Sequence, residues 1–155
     1  MVQSATDEHI ASINNMNQTN NLEDFKINVK VKLSALWTAV MFCYVYGDYF
    51  SLYVPNQIDQ FINGETRLDS PIKLFAASLL MTIPSLMVFL SLVLKSKWSR
   101  WLNILFGTLY TAIMILIAIA SMGPAWWTFY VFLAIVESVV TSVIVVVAWK
   151  WPRQG

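Results

Sequence analysis

The stretch LSALWTAVMFCYVYGDYFSLYV, residues Leu33 to Val54, decides the fold. A helix needs about 20 predominantly apolar residues to cross the hydrocarbon core of a bilayer, and this run supplies them. Its only charge is Asp48, set beside Gly47 and among Tyr44, Tyr46, Tyr49 and Tyr53. A carboxylate at membrane depth is costly, so it is paired, protonated or used.

Three more runs of similar length follow. Together the four spans are expected at about 33–54, 72–94, 101–121 and 125–149. Apolar residues make up 57% of the 155 and charged residues only 12%, and the polar faces a soluble helical domain would need are missing. The links between spans are mostly short, which makes neighbouring helices antiparallel. The expected fold is therefore an all-α integral membrane protein, a four-helix up-down-up-down transmembrane bundle. Residues 1–22 read as a disordered cytoplasmic tail and 23–155 as the four-span domain. The tail is polar and rich in asparagine (Asn14, Asn15, Asn17, Asn20, Asn21), with no basic segment leading an apolar one as a cleavable signal would have.

Between Phe25 and Leu33 apolar residues alternate with Lys26, Asn28, Lys30 and Lys32. A lone strand has no partner here, so this segment is expected as a lead-in helix or extended piece on the membrane surface. In the loop from Pro55 to Pro71, Ile58, Phe61 and Ile62 predict one amphipathic turn, broken at Asn63-Gly64. Pro84 falls near the middle of the second span and removes a backbone hydrogen bond, so a kink is expected there.

Charge sets the orientation. Lys26, Lys30, Lys32, Lys95, Lys97, Arg100, Lys150 and Arg153 fall on one side of a four-span arrangement, and only Arg67 and Lys73 on the other. The positive-inside rule then puts both termini in the cytoplasm. The tryptophans predict matching aromatic belts, with Trp37, Trp98, Trp101, Trp149 and Trp151 at the inner boundary and Trp126 and Trp127 at the outer.

Lys32-Leu33-Ser34-Ala35-Leu36-Trp37, then Tyr46-Gly47-Asp48-Tyr49-Phe50-Ser51 and Pro55, resemble the opening of a group of small bacterial membrane proteins. That group is known as a domain of unknown function with four predicted transmembrane helices. The resemblance implies the same topology and the bacterial inner (plasma) membrane. It carries no activity, cofactor or catalytic residue with it.

Two acids lie inside the spans, Asp48 and Glu137. At helical rise Asp48 sits ~10 Å below the outer end of its helix and Glu137 ~19 Å below the outer end of the last. Unless tilt brings them together, that stagger opposes a carboxyl dyad sharing one proton. A neutral Glu137 could donate to hydroxyls of other helices, Ser78, Thr82 and Ser85 or Thr108 and Thr111. Ser138, Thr141 and Ser142 continue its own polar face. Asp48 could pair with Lys73 or Arg67, and Tyr44, Asp48 and Ser51 form one stripe, with Gly47 permitting a close helix approach. Asp48, Glu137, Tyr44, Ser51 and Lys73 are thus the candidate binding or proton-site residues.

The chain has one cysteine, Cys43, read as a small buried apolar residue, and one histidine, His9, in the tail. That leaves no material for the usual zinc or haem ligand sets, and no cofactor is expected. No nucleophile stands beside a base, so no enzyme activity is expected. The basic clusters are short, and nucleic-acid binding has no support. The expected partners are the lipid bilayer and further copies of the chain. Two functions fit: proton- or cation-coupled transport or ligand binding through the intramembrane acids, or a structural accessory subunit in which those acids are interhelical glue.

Overall fold

The computed structural model describes residues 27–66 and 68–152. The tail expected over residues 1–22, His9 and Arg67 lie outside them. Among the described residues the regular elements are all helical. In chain order they are α1 Val29–Ser51, α2 Gln57–Ile62, α3 Pro71–Val93, α4 Ser96–Ala120, a 3-10 turn Ala125–Trp127, and α5 Thr128–Trp149. α1, α3, α4 and the continuous segment Ala125–Trp149 are long and apolar enough to cross a membrane.

The starts of the helices show how local chemistry sets their bounds. Asn28 Oδ1 accepts from the Lys30 N–H at 2.9 Å, and the Asn28 carbonyl accepts from Lys32 at 3.1 Å. This side-chain cap begins α1 at Val29, so Val29 to Leu33 are its first turn. The separate lead-in expected up to Leu33 is corrected: Leu33 is fully buried in the bundle. Likewise Ser96 to Arg100, expected as a basic link, form the first turn of α4, with Ser99 fully buried. Ser70 caps α3 through the Lys73 N–H at 3.3 Å, with Pro71 in the first turn. The short α2 matches the amphipathic turn expected around Ile58 and Phe61. It ends at Asn63, and Gly64 follows at φ 74°, a conformation glycine takes without steric cost.

In the bundle α4 and α5 share the most extensive contact, α1 packs on both α3 and α5, and α3 touches α4 only lightly. The α4–α5 contact is close because position 107 is glycine. A Cβ there would lie 2.8 Å from Val145 Cγ2 and 3.4 Å from the Thr141 carbonyl oxygen. Gly47 was expected to play this part, yet a Cβ on it would meet Tyr130 and Leu133 at ordinary distances of 3.6 and 3.7 Å.

Two groups of bonds hold the basic end. Lys30 Nζ donates to the carbonyls of Leu94 at 2.6 Å and Leu92 at 3.3 Å, and Arg100 Nη2 donates to the Trp149 carbonyl at 3.3 Å. Each cation closes the C-terminus of another span, where free carbonyls and the helix dipole favour positive charge. Deeper in, Trp37 Nε1 donates to Asn103 Oδ1 at 2.7 Å, while Asn103 Nδ2 donates to the Ser99 carbonyl at 2.8 Å and to Ser91 Oγ at 3.2 Å. All four side chains are fully buried. Trp37 is thus a core residue of three helices and not part of an interfacial belt. Trp98, Trp101 and Trp149 at the same end remain exposed.

Candidate functional site

Glu137 is 4% exposed, on the face of α5 that also carries Tyr130 and Ala134. This face meets the Tyr44, Gly47, Asp48 face of α1 and the Tyr110, Met114, Ile117 face of α4. Together with Leu80 and Met81 of α3 they enclose a cavity of about 50 Å³ inside the bundle. One water needs roughly 10–15 Å³ of such space, so the cavity holds small species only.

A second, open cavity of about 680 Å³ lies at the loop end, between α2, the 55–68 link, the top of α4 and the Pro124 turn. Asp48 and Tyr130 line both spaces, and Ser51 lines the outer one. Asp48 thus stands on the wall of both the wide vestibule and the inner cavity. The two acids that helical rise separates in depth both line the inner one. Among the described residues no hydrogen bond joins them.

Tyr44 is 7% exposed and lines the inner cavity, and among the described residues its hydroxyl has no hydrogen-bond partner. Glu137, Tyr110 and Tyr130 line the same space. A buried hydroxyl without a partner costs about 1–3 kcal/mol, which a bound water or ligand would offset. The Glu137 carboxyl is also left to the cavity: among the described residues no hydrogen bond reaches it.

The partners expected for these acids are otherwise engaged. Lys73 Nζ pairs with Asp69 at 2.6 Å on the exposed start of α3, and does not reach Asp48. Ser78, Thr82 and Ser85 are exposed and bond the carbonyls of Leu74, Ser78 and Met81 on their own helix. Thr108 is exposed, and Thr111 Oγ1 lies 2.8 Å from Thr141 Oγ1. Ser138 and Ser142 bond back to Ala134 and Ser138, and Thr141 donates to the peptide carbonyl of Glu137 rather than its carboxyl. Ser51 likewise donates to the Asp48 carbonyl at 2.6 Å. For these serines, and for Thr82 and Thr141, an acceptor is a carbonyl about one turn back, which a short hydroxyl reaches without leaving its helix.

The floor of the cavity is aromatic. The Tyr110 hydroxyl donates to the Leu80 carbonyl, and its ring meets Trp37 edge-on with centroids 6.0 Å apart. Below that contact lies the buried Asn103 network. Sequence reasoning passed over Tyr130, Tyr110 and the half-buried Cys43 as lining residues. Tyr130 stands two turns before Glu137 on one helical face, a spacing legible in the sequence.

The chain belongs to DUF6326, a family of unknown function whose model matches residues 21–155. No curated protein and no solved structure matches it.

Proposed function

We propose that this member of a family of unknown function is a small membrane protein that takes up a proton or small cation from its loop end. The ion passes Asp48 and is held at Glu137. The observation that carries this reading is a shared wall: Asp48 and Tyr130 border both the vestibule and the inner cavity, and the inner one is lined by Glu137 and by Tyr44, whose hydroxyl has no hydrogen-bond partner among the described residues. Acids acting only as interhelical glue would have bonded partners across the bundle. Among the described residues Glu137 has none, which supports the glue reading less.

Charge distribution supports an inner-membrane orientation with cytoplasmic termini, which turns the vestibule outward. Passage to the basic end then requires Tyr110 to leave Leu80 and Trp37. The test is flux into liposomes holding a pH-sensitive dye, or a cation-sensitive one, under an imposed gradient. Wild-type protein conducts slowly and saturably, while Asp48→Asn and Glu137→Gln each reduce the rate severalfold. Equal flux in all three proteins, or none in the wild type, removes the reading.

A further inference from the structure

Resting on the ion-uptake reading above, we infer that the inner cavity is a site for one partly dehydrated monovalent cation, an alkali or ammonium ion, held by the Glu137 carboxylate and the Tyr44 hydroxyl.

Size sets the first limit. A cavity of about 50 Å³ admits an alkali ion or ammonium with a water or two, and excludes quaternary amines. Charge sets the second. Glu137 is the deeply buried acid, at 4% exposed, whereas Asp48 is exposed at the edge of a vestibule roomy enough for water. One buried carboxylate calls for one compensating positive charge. A divalent ion sheds its water more reluctantly than a monovalent one, and the cavity has little room for the water it would keep. Among the described residues no lysine or arginine lines the cavity, and Lys73 is held by Asp69, so these residues supply no internal counter-ion.

The donor set gives the third limit. Tyr44 is more than nine-tenths buried, lines the cavity and has no hydrogen-bond partner among the described residues, which leaves its oxygen to coordinate beside the carboxylate. Tyr110 and Tyr130 add ring surface, which a cation tolerates better than aliphatic wall. Asp48 attracts the ion from the vestibule and hands it inward without being its final ligand.

The experiment is thermal unfolding of the full chain in phosphatidylcholine nanodiscs, at constant ionic strength made up with N-methylglucamine chloride. Sodium, potassium or ammonium chloride is then titrated in. At least one raises the midpoint saturably, and tetramethylammonium does not. Tyr44→Phe raises the half-saturating concentration by about tenfold, the loss expected of one ligand to a charged group. Glu137→Gln abolishes the response while its midpoint without added cation shows that it folds. A response to tetramethylammonium equal to that of sodium, or one that survives Glu137→Gln, overturns the inference. Absence of any cation response beside Glu137-dependent proton flux also overturns it, but leaves the uptake reading standing as a proton site. Absence of both removes both.

Discussion

The hydroxyl of Tyr110 donates to the carbonyl of Leu80, the acceptor that Pro84 leaves without its helical partner four residues on. Proline has no N–H, so α3 loses one rung, and a side chain from α4 supplies the missing donor. This bond ties two spans that otherwise touch little, at the floor of the inner cavity.

Tyr110→Phe should therefore cost about 1–3 kcal/mol, the penalty for stranding a buried carbonyl. Pro84→Ala restores a backbone donor to Leu80, so Tyr110→Phe should cost distinctly less in that background. Unfolding midpoints of the four proteins in one mild detergent give the cycle. Equal costs in the two backgrounds would show that the bond does not stand in for the missing rung.

At Gly107 an added methyl has nowhere to go. Gly107→Ala should push α4 and α5 apart and destabilise the fold by about 1–3 kcal/mol, the range for overpacking a tight contact. Gly47→Ala, whose Cβ has ordinary room, should change stability by no more than about 0.5 kcal/mol. Chemical denaturation in the same detergent ranks the two variants. The opposite order would mean that the close helix approach lies at α1 and not at α4.

Asn103 joins α1, α3 and α4 through buried hydrogen bonds. Asn103→Ala strands the Trp37 indole N–H, and a loss of about 1–3 kcal/mol follows. Adding Trp37→Phe should cost less on top of Asn103→Ala than alone, since the two share one bond. Strict additivity in thermal melts would deny that the network acts as a unit.

Much of this architecture was legible in the chain. The four spans, the turn at Gln57–Ile62 and the break at Gly64 follow from hydrophobic length and turn chemistry, which act locally. The Tyr44, Asp48, Ser51 stripe was legible too, because helical period fixes which residues share a face. The sequence misleads where a group's environment depends on another helix: Trp37 lies in the core and not in the belt, the close contact is at Gly107 and not Gly47, and Lys73, one of the two candidate partners of Asp48, pairs with Asp69.

The sequence by itself determined that four helices cross the membrane and that two carboxyls go with them. It did so because apolar length and buried charge are properties of one segment at a time. Only the tertiary structure decided that Asp48 lines the cavity of Glu137, that the Tyr44 hydroxyl finds no partner there among the described residues, and that Tyr110 bonds across to Leu80 at its wall. Those facts depend on how four helices rotate and approach. That is set by packing such as the Gly107 contact and the Asn103 bonds, far along the chain from the acids they position.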